Sequence, residues 1–274
     1  MEAGSFPLAA YLDRIGLSGR RQSPTLAEVH RAHVSAIPFE NLDPHRGVPV
    51  SLEPEALVRK LVQERRGGYC FEQNLLLAAA LEGLGLRVER MLARVRLDRP
   101  AGRVSPRTHL VLRVTSGEAA WLADAGFGNG TLLEPIPFGP GDVHRQSGWR
   151  YRLVAEGRAH VLQAERDGDW SDLYEFIPEP VPFVDLETSN WFTATHPRSP
   201  FVTGLIVAAQ RPDGGRVMLS DWNGLALVRQ TPAERTVIEI ERHQIPGLLE
   251  TEFGLAGFSL SPEGRVIRAA EAIL

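Results

Sequence analysis

The hydrophobic period of this chain changes near residue 87, and that change restricts the folds open to it. From Thr25 to about Leu86 the spacing is helical: Leu26, Val29, His30, His33 and Val34 share one face, and Leu57, Leu61 and Val62 recur similarly. From Val88 to about Phe183 the period drops toward two, with strands expected at residues 91–97, 109–114, 121–125, 151–155 and 160–165, separated by Gly, Pro and Asp. That density of short strands points to an antiparallel sheet or partial barrel. After the Pro-rich stretch 178–182 a linking segment is expected through Asn190, Trp191 and the run Thr195 to Phe201. More strands follow at 205–210, 216–219, 225–230 and 236–240, then a short helix around 246–253. The class is α+β, in three regions: a helical bundle over 1–86, an antiparallel sheet or partial barrel over 87–190 and an α+β region over 191–274.

Composition narrows the function. With 43% apolar and 23% charged residues, burial can offset the entropy of ordering the backbone. The net charge is only −4, and the 30 basic residues form no sustained run, which argues against nucleic acid or a membrane surface as partner. Lys60 is the sole lysine, leaving one candidate for Schiff-base chemistry and no phosphate loop ending in Gly-Lys-Ser/Thr. The start, Met1-Glu2-Ala3-Gly4-Ser5-Phe6-Pro7, has an early acid and no apolar run fit for a leader or a span, so a cytoplasmic location is expected. Cys70 is the only cysteine; no intrachain disulfide can form, and a reducing compartment keeps the thiol free.

Cys70 stands where chemistry is plausible. Arg65-Arg66-Gly67-Gly68-Tyr69 interrupts the helical pattern, and a new helix runs from Cys70 to near Gly83 and Gly85. Two glycines allow a close backbone approach before the thiol, and the helix start aims free N–H groups and positive potential at the sulfur, favouring the nucleophilic thiolate. A lone cysteine is otherwise most often an inert small hydrophobe. A second element comes from register. If strands 109–114 and 121–124 form a hairpin turning between Ser116 and Gly117, His109 faces Asp124, within reach of an imidazole–carboxylate hydrogen bond. A loop of another length would shift that pairing, and a strand His beside an Asp is often only a structural pair. Taken together, a thiol at a helix start and a His–Asp pair form the layout of an activated cysteine nucleophile, and the order Cys, His, Asp matches papain-like arrangements.

Other motifs carry less. Gly126-Phe127-Gly128-Asn129-Gly130 lacks the following helix of a dinucleotide fingerprint and reads as a tight loop, one that can line a cleft because it follows Asp124. His30 and His33 have a spacing compatible with metal but no evident Cys or carboxylate partner, so no metal is expected. Glu40, Asn41, Glu72 and Asn74 read as structural polar groups.

The stretches Pro38-Phe39-Glu40-Asn41, Arg66-Gly67-Gly68-Tyr69-Cys70-Phe71-Glu72-Gln73-Asn74, Thr108-His109-Leu110 and Asp124-Ala125-Gly126-Phe127-Gly128 resemble the arylamine N-acetyltransferases, over nearly the whole chain. The resemblance implies a papain-like cysteine-transferase architecture of helical bundle, β-barrel and α/β lid, with a Cys70–His109–Asp124 triad in the cleft between them. It implies acetyl-coenzyme A as donor and arylamines or arylhydrazines as acceptors, with N-hydroxyarylamine O-acetylation possible on the same machinery. Residues matching the family's acceptor cleft are Phe39, Val95, Phe127 and Phe201; those matching its donor contacts are Thr108, Gly128 and Gly130. Where many bacterial members carry Gly-Phe-Gly-Gly, this chain has Asn129. Three alternatives stay open on sequence: an amide synthase of the same fold, a papain-like cysteine hydrolase or transglutaminase, and a binding module with a structural cysteine.

Overall fold

The computed structural model describes residues 6–97 and 104–268; Met1–Ser5, part of the N-terminal reading above, lie outside them. Helices α1 (Leu8–Arg14), α2 (Leu26–Ala36), α3 (Leu42–His45), α4 (Pro54–Leu57) and α5 (Cys70–Gly83) occupy the first third, with a two-residue strand β1 (Phe39–Glu40) and a π-helical continuation of α4 over Val58–Gln63. The Thr25 hydroxyl accepts the Glu28 N–H while the Glu28 carboxylate accepts the Thr25 N–H, a reciprocal cap that fixes where α2 starts. The face expected from spacing is the buried one, with Val29, His30, His33 and Val34 inside. Helix α5 has no apolar stripe, because 11 of its 14 residues are buried, and a helix so enclosed is central.

Strands β2 (Arg87–Val95), β3 (Arg107–Ser116), β4 (Ala119–Ala123), β5 (Ile136–Pro137), β6 (His144–Gln146), β7 (Trp149–Glu156), β8 (Ala159–Arg166) and β9 (Asp169–Phe176) form one antiparallel sheet, a nearly closed barrel. Its order is β5-β4-β3-β2-β9-β8-β7-β6. The five expected strands are present with shifted ends, and β5, β6 and β9 are additional. Strand β9 escaped the periodicity because it opens Asp-Trp-Ser-Asp and its pairing with β8 slips between Leu162 and Gln163, which breaks the alternation.

In the last third, α6 (Phe183–Thr195) and α7 (Pro200–Thr203) replace the expected linking segment, so that expectation is corrected. The helix was hidden because its buried side, Leu186, Asn190, Thr193 and Ala194, is half polar, while Phe183, Val184 and Trp191 are exposed. Strands β10 (Ile206–Gln210), β11 (Arg216–Ser220), β12 (Ala226–Gln230) and β13 (Arg235–Glu239) follow, then α8 (Ile245–Phe253) and the small hairpin of β14 (Phe258–Leu260) and β15 (Val266–Arg268). Strand β1 pairs with β10, so the first third supplies the edge of the last third's sheet, ordered β1-β10-β11-β12-β13.

Three apolar clusters result. One joins α1, α2 and α5 to the barrel strands, and a second packs the five-stranded sheet on α8. The third lies where these bodies meet, with Phe39, Tyr69, Phe71, Leu92, Leu110, Leu186 and Ile206 around Cys70.

Candidate active site

Cys70 is the first residue of α5, and the turn before it is held by close packing. A side chain on Gly67 would put its Cβ 2.1 Å from the Pro38 carbonyl oxygen, and one on Gly126 would put its Cβ 2.6 Å from the Cys70 Cα. The loop after β4 therefore runs against the backbone of the nucleophile candidate, and only glycine permits it. The thiol hydrogen-bonds the Thr108 carbonyl at 3.5 Å. Thr108 is the extra residue where Ala93 pairs with His109 but Arg94 with Arg107, a bulge that re-aims the strand beside His109.

His109 and Asp124 do meet, at 2.7 Å between Nε2 and Oδ2, although not by the register expected. The hairpin turns on Gly117-Glu118, with Ser116 opposite Ala119 and Leu112 opposite Ala123, so its register is offset by two residues. Strand pairing ends there, and Asp124 sits just beyond the end of β4. A slip of two preserves which face each side chain takes, and a diagonal neighbour two residues away remains within reach of an imidazole.

The pair is buried, with His109 3% exposed and Asp124 fully enclosed. Asp124 Oδ1 accepts from Asn74 Nδ2 and from the Gly126 N–H, both at 2.9 Å. Burial opposes its negative charge, but the His109 charge and these hydrogen bonds prevail and hold the carboxyl below its ordinary value. For His109, burial is likewise the largest influence and disfavours the imidazolium; the charge and hydrogen bond of Asp124, with a contribution from Cys70, outweigh it and push the group up to about 10. With Nε2 committed to Asp124, Nδ1 is the nitrogen left for Cys70. The ring is fixed between Phe127 and Tyr174, at centroid distances of 5.1 and 4.9 Å.

Cys70, His109 and Phe127 open onto a cleft of about 1310 Å³ between the barrel and the five-stranded sheet, with Asp124 behind them. Phe39, Val95, Phe127 and Phe201 all line it, as do Thr108, Asn129 and Gly130. Gly128 does not: it is buried, its carbonyl accepting from Gln210 and its Cα facing the Phe39 ring. Lys60 is not an available amine, because its ammonium lies 2.7 Å from both Asp43 and Glu72 in a buried ion cluster with Arg66 and Glu40. No group of three or more potential metal ligands occurs among the described residues.

Sequence reasoning took Asn74 as a structural polar group, weighed His30 and His33 only as metal ligands, and gave Gln73 no role of its own. Asn74 bridges both halves of the site, donating to Asp124 and to the Leu110 carbonyl and accepting the Ala125 N–H. Gln73, His30 and His33 complete the polar packing behind the triad candidates. The available signal was Glu72-Gln73-Asn74, three polar residues in succession on an otherwise apolar helix. Wholly buried amides of this kind need specific partners.

Known proteins similar to this chain share one family. A family model described as N-acetyltransferase matches residues 23–257. The arylamine N-acetyltransferase of Mycolicibacterium smegmatis is 47% identical over 213 residues, covering 75% of this chain and 77% of the relative. The chain belongs to the arylamine N-acetyltransferase family. Another family member, the arylamine N-acetyltransferase / N-hydroxyarylamine O-acetyltransferase of Salmonella typhimurium, is 36% identical, covering 84% of this chain and 81% of its own. The arylamine N-acetyltransferase of Mycobacterium marinum, solved in complex with CoA, superposes with a TM-score of 0.85 at 39% identity, covering 90% of this chain and 92% of that one. Membership of the arylamine N-acetyltransferases makes the chain an acyltransferase. Among the described residues no helix is long and apolar enough to cross a membrane.

Proposed function

We propose that this protein transfers acetyl from acetyl-coenzyme A to arylamines or arylhydrazines through an acetyl-Cys70 intermediate. The observation that carries the reading is His109, buried between Asp124 and Cys70 at the floor of an open cleft. In the first half-reaction the Cys70 sulfur attacks the thioester carbonyl, a tetrahedral oxyanion forms, and coenzyme A leaves as its thiol with a proton from His109. The N–H of Cys70 lies in the first helical turn, where N–H groups lack intrahelical acceptors, and is a donor for the oxyanion. In the second half-reaction a neutral aromatic amine attacks the acetyl-thioester, His109 takes its proton, and the Cys70 thiolate is released. Asp124 holds the imidazole orientation and balances its positive charge throughout.

The wall chemistry supports the substrate classes. Phe39, Phe127 and Phe201 offer flat apolar contact for an aromatic ring, and Phe39 and Phe201 stand 6.0 Å apart between centroids. Arg166, Arg198 and Arg235 along the same cleft supply positive charge for a phosphorylated donor, whereas Arg150 is paired with Glu165. The CoA complex of the M. marinum relative and the N-hydroxyarylamine O-acetyltransferase activity for which the S. typhimurium relative is named support the donor and the O-acetylation of N-hydroxyarylamines.

The test is mass spectrometry after mixing with acetyl-coenzyme A alone. The expected product is a single acetyl group on Cys70, discharged by an arylamine. Initial rates at several fixed amine concentrations should give parallel double-reciprocal lines. Intersecting lines, with no adduct surviving removal of the donor, would make Cys70 a bystander.

A further inference from the structure

Two histidines on α2 have no part in the proposed chemistry, yet both are fully buried and both hydrogen-bond at each ring nitrogen. Their partners fix their protonation. The Asp124 backbone N–H can only donate, so His30 Nε2, 3.1 Å away, accepts; His30 Nδ1, 3.2 Å from the Leu133 carbonyl, therefore carries the proton. His33 is the reverse. Gln73 spends its amide N–H groups on the carbonyls of Pro38 and Gly68, at 2.8 and 3.2 Å, so its Oε1 faces His33 Nε2 at 2.7 Å as an acceptor. His33 Nε2 then carries the proton, and Nδ1 accepts the Tyr11 hydroxyl at 2.9 Å.

We propose that α2 is a brace for the active site, with His30 and His33 as positioning residues held neutral in opposite tautomers: His30 fixes the backbone of Asp124, and His33 fixes, through Gln73, the turn that presents Cys70. This rests on the reading of Cys70, His109 and Asp124 as a catalytic triad. The two attachment points are one turn apart on a capped helix, so the separation between nucleophile and carboxylate is set by a rigid element. His30 is also the acceptor that keeps the enclosed Asp124 N–H from being orphaned, a group that otherwise costs its desolvation. Burial opposes charge on both rings: it lowers His30 to about 4, although Asp124 and Glu134 face that ring, and it lowers His33 to about 3, where His30 and Arg14 push the same way and only the Gln73 hydrogen bond opposes. The brace thus keeps one hydrogen-bond polarity across the range in which the site works.

The first test uses the unmodified protein. In a sample with ¹⁵N-labelled histidine, assigned with His30→Gln and His33→Gln, the ring nitrogen shifts at pH 7 should show His30 protonated on Nδ1 alone and His33 on Nε2 alone. An imidazolium at either position, or His30 carrying its proton on Nε2, overturns the proposal. The second test compares His30→Leu, which removes the acceptor, with His30→Gln, which keeps an oxygen near the place of Nε2. Cys70 alkylation by iodoacetamide at neutral pH and kcat for acetyl transfer should each fall about 10²-fold in His30→Leu. KM for the amine should stay within about threefold, and His30→Gln should recover most of both rates. A folded His30→Leu with both rates within threefold of wild type refutes it; if that variant does not fold, the tautomer measurement decides. Failure of the triad reading is seen separately, as acetyl transfer by Cys70→Ala, and leaves the tautomers unchanged.

Discussion

Replacing Asp124 by Asn tests the electrostatics of the site at constant volume, and the structure dictates which way the new amide must sit. Oδ1 of Asp124 receives two hydrogen bonds, from Asn74 Nδ2 and the Gly126 N–H. Those donors hold the amide oxygen of Asn in the same place, so its NH₂ must face His109 Nε2. His109 must then accept at Nε2 and carry its proton on Nδ1, toward Cys70, which is the wrong tautomer for taking a proton there. The energy at stake follows from His109, raised from 6.5 to about 10. That rise corresponds to about 5 kcal/mol favouring the imidazolium, at about 1.4 kcal/mol per pH unit. A fall in rate on the order of 10³–10⁴ is expected, equivalent to about 4–5.5 kcal/mol of barrier. The assay is the initial rate of coenzyme A release with acetyl-coenzyme A and an arylamine, alongside the rate of acetyl-Cys70 formation without amine. Both should fall, because both half-reactions use the same imidazole. A folded variant within tenfold of wild type at pH 7 would show that Asp124 is only a structural partner of His109.

Cys70→Ala should abolish transfer and retain the melting temperature within a few degrees, since losing one sulfur leaves only a small cavity; activity in the folded variant would refute the nucleophile. Gly126→Ala puts a Cβ 2.6 Å from Cys70 Cα, short of ordinary contact by about 0.8 Å against unyielding backbone. The loop and α5 must separate, and activity should fall by about 10²-fold, whereas Gly141→Ala, with open space at its Cβ, should be neutral in the same assay. The His109–Asp124 pair should also shape stability against pH. His109 is raised in the folded state, so its stabilisation is complete below about pH 6.5 and is lost as pH climbs through about 10; Asp124 is lowered, so its share is lost only as pH falls beneath the ordinary carboxylate value. The gap in melting temperature between wild type and Asp124→Asn should therefore be widest near pH 5–6.5 and narrow toward pH 10, and a gap that widens with pH would contradict the assignment.

What the sequence alone determined is local. The helical spacing of Val29, His30, His33 and Val34, the glycine break before Cys70 and the alternation in β7 each depend on neighbours within a turn or a strand, and each was legible. The His109–Asp124 contact was also reached, but by a register off by two residues; alternation fixes the face of a side chain, while the turn residues decide its partner. Helix α6 was not legible because Asn190 and Thr193 replace apolar residues on its buried side. Only the tertiary structure decided that β1 pairs with β10, that Gly126 lies against Cys70, and that His30, Gln73 and Asn74 satisfy backbone groups far along the chain. A buried polar side chain is fixed by donors and acceptors that folding brings to it, and its own sequence neighbourhood carries no record of them.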